Sequence, residues 1–297
     1  MRTIDATIWS IVSQAGDLDI HYHVQDGAST DGTLDKIQAW ATRLAGSPAL
    51  LPSRVRFSFA SEPDRGMYDA IAKGFGNLAI PSDAFMNWCN ADDVLWPGAL
   101  DAVARLGRHL PKVDWVVGWS TWFDALGRFK AIQRSPRFPQ AILAAGLADG
   151  IHWPFVQQES VFWRGHLWDH AGGLNTSLRL AGDWDLWVRF ARLTPLVHAH
   201  RQLGAFHVRP GQQSSDMERY RSEMDQMVPR ASRQGELRKW VRRGAPLTTV
   251  PWVAEGGDGQ WQATRRPCRR RAVLLARAVG MLPSPSPSIL RLLHRLW

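Results

Sequence analysis

Helical and strand-like periodicities alternate along the first 110 residues of this chain, and this alternation constrains its fold more than any other feature. Residues 3–14 place apolar side chains at helical spacing, and residues 20–24 then alternate as a half-buried strand does. The alternation continues with a helix around 37–44, a strand at 55–59, a helix to about 78, a strand at 84–89 and a helix at 97–110. It predicts an α/β fold in three layers, with a mostly parallel central sheet and ligands at the carboxyl ends of its strands.

The pattern becomes mixed after about residue 113. An aromatic strand is predicted at 115–122, followed by a loop-rich stretch and by a helix at 183–193. Beyond about residue 234 the chain is basic and rich in glycine, proline and arginine. We therefore expect a folded unit of residues 1–235 and a basic tail of residues 236–297.

The composition narrows the class of partner and the compartment. A net charge of +9 and a pI near 10.3 imply attraction to something anionic, although five arginines within 265–271 make this partly a property of the tail. This tail combines basic and apolar residues, which suits either an interfacial helix on an anionic membrane surface or a solvated, partly disordered segment. The sequence has two cysteines that lie far apart, and it has no long apolar run and no secretory signal. These features predict a cytoplasmic location.

Two adjacent carboxylates follow the strand predicted at 84–89. Asp92 and Asp93 would emerge together at the ligand edge of the sheet, where a hard divalent cation such as Mn²⁺ or Mg²⁺ would relieve their repulsion. The alternative is a pair of capping residues for the helix that begins near Pro97. The two residues alone leave both alternatives open.

A second polar turn, Asp26–Thr33, follows the strand at 20–24. Its small residues would let backbone N–H groups approach a ligand, and Asp26 could accept hydrogen bonds from a base or ribose. An ordinary turn, with Asp31 or Thr33 capping the next helix, explains the same residues.

Further segments follow these turns in a fixed order. Ser61–Ala70 precedes the acidic pair, and Gln157–Trp163 and Asp183–Arg189 come after it. Together with Asp26–Thr33 and Asn90–Asp93, these segments resemble family 2 glycosyltransferases, over roughly residues 3–228. The resemblance implies a GT-A fold with a nucleotide-binding half at about 1–120 and an acceptor half at about 121–235.

The resemblance also implies roles for individual residues. Asp26 and Asp64 would bind the nucleoside, Asp92 would bind ribose or metal, and Asp93 would be the principal ligand of Mn²⁺ or Mg²⁺. Asp183 would be the general base that takes a proton from the acceptor hydroxyl, with inversion at the anomeric carbon. Arg65 would reach a phosphate, or remain solvated in its turn.

Other positions in the acceptor half carry weaker implications. Glu159 and Asp185 are expected near the acceptor, although the spacing of Asp185 also suits helix capping. Trp184 could stack on a sugar, but aromatic residues at helical spacing are more often core. Basic residues that could line the diphosphate are His152, His207 and Arg209.

The expected reaction is sugar transfer from a UDP-, GDP- or dTDP-sugar to a glycan or lipid-linked acceptor in polysaccharide or cell-envelope biosynthesis. One departure is that family members begin with an apolar strand before the helix that starts here near Thr3. Either the recorded sequence starts too late or the chain is an inactive nucleotide-sugar-binding remnant with exposed strand edges. A nucleic-acid binder is a further alternative, but the acidic turns would repel a phosphate backbone, so no nucleic acid is expected.

Overall fold

The computed structural model describes residues 3–46, 51–209, 211–212, 216–242 and 248–268. Its first five elements alternate as the sequence predicts. They are α1 (Ile4–Val12), β1 (Asp19–Asp26), α2 (Thr33–Gly46), β2 (Arg54–Ser61) and α3 (Met67–Gly76). Helix α1 forms because Ile4, Ile8, Ile11 and Val12 share one buried face.

Ten elements follow up to the end of β8, and four more complete the described chain. The first ten are β3 (Phe85–Met86), β4 (Val94–Leu95), α4 (Ala99–His109), β5 (Trp115–Phe123), β6 (Phe129–Gln133), α5 (Gln140–Ala144), β7 (Val161–Arg164), α6 (Gly165–Ala171), α7 (Gly182–Leu193) and β8 (Val197–His207). The last four are α8 (Met217–Met227), α9 (Arg230–Arg242), β9 (Thr249–Glu255) and β10 (Trp261–Pro267). A short 3₁₀ helix, Gln158–Ser160, precedes β7.

The strands form two sheets. β1 and β2 pair in parallel, with Asp26 opposite Ser61, so both strands end at the same edge. The larger sheet has eight strands in the order β10-β9-β8-β5-β7-β3, with β4 paired to β8 and β6 paired to β5. In the described chain β1 pairs with β2 alone, which leaves its other edge without a strand partner.

The larger sheet is mixed, and the prediction of a mostly parallel sheet is wrong for it. Only β5–β8 and β8–β9 pair in parallel, whereas β3–β7, β4–β8, β5–β6, β5–β7 and β9–β10 are antiparallel. A short turn such as the one between β5 and β6 can only reverse the chain, because a parallel pair needs a long crossover.

A tryptophan-rich core packs between this sheet and helix α7. Trp115 and Trp163 are fully buried, and the ring of Trp187 stacks on Trp88 with a centroid separation of 5.8 Å. Trp184 lies on the same helix and is only 3% exposed. Such burial favours the core alternative for Trp184 over a sugar-stacking platform, since an indole face must be open to receive a sugar.

The C-terminal elements extend the same structure. Residue 235 falls inside α9, and β9 pairs with β8, so packing continues through residue 267 and beyond the boundary expected near 235. Val250, Val253 and Trp261 supply buried apolar side chains to these strands. The arginine-rich and proline-rich remainder of the expected tail, 269–297, lies outside the described residues. Within the described chain, no helix combines the length and apolarity needed to cross a membrane.

Candidate functional site

The parallel pair β1–β2 brings Asp26 to the edge where both strands end. Its Oδ2 accepts a 3.0 Å hydrogen bond from the Ser29 N–H and one of 2.6 Å from the Ser61 hydroxyl. Burial alone raises the pKa of Asp26, but these hydrogen bonds outweigh it and hold the pKa below its usual value. Asp26 is therefore an ionised acceptor fixed in orientation.

Asp64 lies directly against the same turn. A Cβ atom added at Gly27 would lie 2.4 Å from Oδ2 of Asp64, so glycine is needed for this approach. Oδ1 of Asp64 accepts a 2.8 Å hydrogen bond from the Gly66 N–H. The two residues expected to hold the nucleoside are thus adjacent.

Arg65 is exposed, but its guanidinium is held by a carboxylate. Nη2 of Arg65 lies 2.7 Å from Oδ1 of Asp69, one turn along the chain in α3. The Arg65 N–H also donates to Oδ2 of the same carboxylate. This pairing fits a role in ordering the loop of residues 62–66, which contains Asp64, and Arg65 would have to leave Asp69 to reach a phosphate.

The acidic pair follows β3 and faces two other segments of the chain. Asp93 is 1% exposed, and its oxygens accept hydrogen bonds from Asn90 Nδ2 at 3.1 Å and from the His207 N–H at 3.3 Å. Asp92 pairs with the guanidinium of Arg209 and accepts a 3.3 Å hydrogen bond from Gln212. Helix α4 has Gly98 at its N-cap and no side-chain capping bond, so neither aspartate caps it.

Glu159 links the acidic pair to Asp183 electrostatically. It is 3% exposed in the short 3₁₀ helix that precedes β7, and its Oε1 accepts a hydrogen bond from the Ser120 hydroxyl. Burial raises its pKa to about 6, with a further contribution from the charge of Asp183. Burial, together with the charges of Glu159 and Asp92, likewise raises the pKa of Asp93 well above its usual value.

Asp183 stands at the first turn of α7 between two tyrosines. Tyr220 of α8 donates a 2.8 Å hydrogen bond to its Oδ1, and the hydroxyl of Tyr68 lies 3.1 Å from the same atom. Burial raises the pKa of Asp183, and the hydrogen bonds oppose this rise. A small cavity beside the carboxyl is lined by apolar residues that include Phe155 and Trp187.

Tyr68 also connects the two halves of the site. It lies in α3, which begins immediately after the Asp64 loop, and a Cβ at Gly182 would come within 2.7 Å of its ring. Helix α3, which directly follows the loop expected to bind the nucleoside, is therefore packed against the helix that carries Asp183.

Arg179 makes a second connection between these halves. A Cβ at Gly66 would lie 2.5 Å from its Nη1, so the exposed guanidinium rests on the Asp64 loop. The backbone N–H groups of Arg179, Leu180 and Ala181 all donate to the carboxylate of Glu223 in α8, at 2.8–3.1 Å. Glu223 thereby fixes the segment that precedes Asp183.

Sequence reasoning missed Tyr68, Arg179, Tyr220 and Glu223 as site residues. Tyr68 lies within Ser61–Ala70, one of the segments that carry the family resemblance, and Arg179 is four residues before Asp183. Both residues therefore lie close in sequence to predicted site residues. Tyr220 and Glu223 lie on α8, where nothing local in the sequence distinguishes them from other side chains of an amphipathic helix.

Asp185 was expected near the acceptor and His152 near the diphosphate, but both form ion pairs with other side chains. Asp185 pairs with Arg189 at 2.7 Å, one turn along α7. His152 is buried, and its Nδ1 lies 2.8 Å from Asp149, which also pairs with the buried Arg233. Arg189 also donates to the carbonyls of Ala171 and Gly173, so these contacts have a structural role.

The acidic pair has the oxygen donors that a hard divalent cation takes. The charges of Glu159 and Asp92 contribute to the raised pKa of Asp93, and the guanidinium of Arg209 pairs with Asp92 as a counter-charge. Nδ1 of His207 is buried without a hydrogen-bond partner. The described residues hold no cluster of three or more acidic, histidine or cysteine ligands. Two carboxylates completed by substrate phosphates nevertheless suffice for Mg²⁺.

No protein-family model matches the chain, and no curated protein matches it. Among solved structures, the chain is similar to the mannosyltransferase PcManGT from Pyrobaculum calidifontis in complex with GDP-Man and Mn²⁺. The identity is 16%, the match covers 99% of this chain and 70% of that chain, and the TM-score is 0.45.

Proposed function

We propose that this chain is an inverting glycosyltransferase that moves a sugar from a nucleotide-sugar donor to a hydroxyl of a glycan or lipid-linked acceptor. The observation that carries the proposal is the continuity of the carboxylate site. Tyr68 joins the Asp64 loop to Asp183, and Glu159 joins Asp183 electrostatically to the acidic pair. The edge that carries Asp26 and Asp64 and the carboxyl of Asp183 are thus parts of one arrangement, which supports the proposal.

On the donor side, Asp26 and Asp64 would hold the nucleoside. Both are fixed acceptors, and Gly27 leaves room for them to lie side by side. Hydrogen bonds from ribose hydroxyls or base N–H groups to ionised carboxylates are the stronger kind. UDP-, GDP- and dTDP-sugars all meet this requirement.

The acidic pair would hold the metal ion. Mn²⁺ or Mg²⁺ bound by Asp92 and Asp93 would neutralise the charge that develops on the departing diphosphate. Arg209 competes with such a cation for Asp92, since its guanidinium already pairs with that carboxylate.

On the acceptor side, Asp183 would act as the general base. It would accept the proton of the acceptor hydroxyl while that oxygen attacks the anomeric carbon from the face opposite the diphosphate. Tyr68 and Tyr220 keep Oδ1 occupied, so the other oxygen, Oδ2, is the atom suited to take the proton. A positioned base of this kind contributes about 10²–10⁴ in rate.

The test is nucleotide binding followed by turnover. UDP, GDP and dTDP, and then their sugars, are titrated calorimetrically with and without Mn²⁺ into the wild type, Asp93→Ala and the control Asp17→Ala, whose side chain is 84% exposed. We expect metal-dependent affinity that Asp93→Ala abolishes and Asp17→Ala keeps. Binding that ignores both the metal and Asp93 contradicts the metal site.

Turnover then separates an enzyme from the second candidate, an inactive nucleotide-sugar-binding protein, which the Arg209–Asp92 ion pair favours. Donor hydrolysis or transfer by the wild type, reduced about 10²–10⁴-fold in Asp183→Asn with donor affinity unchanged, supports the enzyme. Tight donor binding without turnover supports the binding protein.

A further inference from the structure

Exposed apolar side chains are concentrated on one hairpin. Leu126 is 77% exposed, Phe129 62% and Ile132 47%, and together they are three of the six large exposed apolar side chains in the described chain. They lie on the turn between β5 and β6 and on β6 itself, which is exposed along nearly its whole length. Clustering of this kind marks an interaction surface.

Basic side chains share this hairpin. Arg128 pairs with Asp124 across the turn at 2.8 Å. Lys130 and Arg134 are exposed and form no ion pair with any carboxylate in the described ranges. Because alternate residues of a strand share a face, Lys130 and Ile132 project from the same side of β6, and Arg134 directly follows the last residue of that strand. The hairpin is therefore both apolar and cationic.

The same face continues across the sheet as an aromatic and basic stripe. The guanidinium of Arg134 lies over the Trp119 ring at 5.0 Å, and Trp119 packs edge-on against His200 at 4.5 Å. The ring of Trp252 lies 5.7 Å from that of His200 and is buried at 6% exposure, with Arg266 over it at 4.8 Å. Arg134, His200 and Arg266 are the exposed members of this stripe, so the surface that it presents to solvent is basic.

The hairpin also begins at the edge of the sheet that carries the acidic pair. Phe123, the last residue of β5, lies opposite His207 of β8, and the His207 N–H donates to Asp93. A surface that held this hairpin would therefore lie close to the proposed site.

We propose that residues 124–134 dock this protein on an anionic lipid bilayer, with Leu126 and Phe129 inserted among the headgroups and Lys130 and Arg134 facing anionic lipid. A second copy of the chain would bring Lys130 and Arg134 against their own counterparts, and edge-strand charges of one sign oppose such pairing. Nucleic acid would satisfy the cations but leave the apolar tip without a partner. Docking would select a lipid-linked acceptor over a free glycan in the proposed reaction.

The experiment is co-sedimentation of the full chain with vesicles of phosphatidylcholine alone or mixed with phosphatidylglycerol. We expect binding to the anionic vesicles that weakens as salt is raised. Leu126→Ser/Phe129→Thr should weaken it about tenfold or more, and Lys130→Gln/Arg134→Gln by about tenfold. The matched control Leu193→Ser removes an apolar side chain that is 53% exposed elsewhere and should bind as the wild type does.

Hydrogen exchange gives a second readout that does not depend on the variants folding. Amides of residues 124–134 should become protected when anionic vesicles are added. Any one of three results would overturn the proposal. They are unchanged vesicle binding of both hairpin variants, no protection of this segment, and self-association of the chain without vesicle binding. Vesicle binding needs neither donor nor turnover, so its failure leaves the proposed function standing, and the reverse also holds.

Discussion

The hydroxyl of Tyr220 donates a 2.8 Å hydrogen bond to Oδ1 of Asp183, and this bond stabilises the ionised form of a carboxyl whose pKa burial raises. Tyr220→Phe keeps the ring and removes only the donor. The pKa of Asp183 should then rise further. If Asp183 is the general base it must be ionised to act, so the acidic limb of the kcat/KM profile should move to higher pH.

Initial rates measured across pH check this prediction. The loss of activity should be larger at acidic than at alkaline pH. Phe155→Leu is the matched control, because Phe155 packs edge-on against Tyr220 with a centroid separation of 5.3 Å and makes no hydrogen bond to the base. An equal loss at every pH in Tyr220→Phe would indicate a packing role alone.

Substitution of Gly27 tests the donor side of the proposed site without removing any carboxylate. In Gly27→Ala the new methyl group would occupy the position 2.4 Å from Oδ2 of Asp64, so the Asp64 side chain must move. If Asp64 binds the nucleoside as proposed, this displacement should weaken nucleotide binding roughly tenfold to a hundredfold. Titration calorimetry with the nucleotide measures the change.

The control for this substitution is Gly76→Ala at the end of α3, where an added Cβ meets nothing within 4 Å. Gly27→Ala should unfold close to the wild-type temperature, because the displaced atom is the end of a flexible side chain. Wild-type affinity in Gly27→Ala would remove Asp64 from the nucleotide site.

The surroundings of Asp26 and Asp183 show how much of the candidate site could be predicted from the sequence. Asp26 and Asp183 lie at element ends that periodicity locates, and the resemblance adds their roles. Tyr220 could not be assigned, because its contact with Asp183 depends on how α8 packs against α7 and leaves no local pattern. Strand directions failed for a similar reason, since β3 and β4 have only two residues each and contain no periodicity to interpret.

Glu159 gives a prediction about stability that needs no substrate. Burial raises its pKa from the usual 4.5 to about 6, so the folded chain holds the proton more tightly than the unfolded chain does. The protonated carboxyl therefore adds to the free energy of unfolding. This contribution is fully present below about pH 4.5 and is lost as pH rises through about 6. Glu159→Gln does not ionise, so above this range it should exceed the wild type by about 2 kcal/mol.

Denaturant unfolding at pH 4.5 and pH 7.5 measures this difference. Glutamine keeps a carbonyl oxygen for the Ser120 hydroxyl, so the variant preserves the hydrogen bond while removing the charge. A stability difference that is the same at both pH values would show that the ionisation of Glu159 does not destabilise the fold.

Arg179 yields a prediction that separates the phosphates of a nucleotide from its nucleoside. Its guanidinium is exposed and rests on Gly66 beside the Asp64 loop, four residues before Asp183. A cation in this place is suited to the negative charge of a diphosphate, which a nucleoside lacks. Arg179→Gln should therefore weaken UDP or GDP binding about tenfold and leave binding of uridine or guanosine unchanged.

Arg54→Gln, which removes an arginine that is 72% exposed and pairs with Asp17, is the matched control for the loss of one surface charge. Equal weakening of nucleotide and nucleoside would mean that Arg179 only orders the loop through its contact with Gly66.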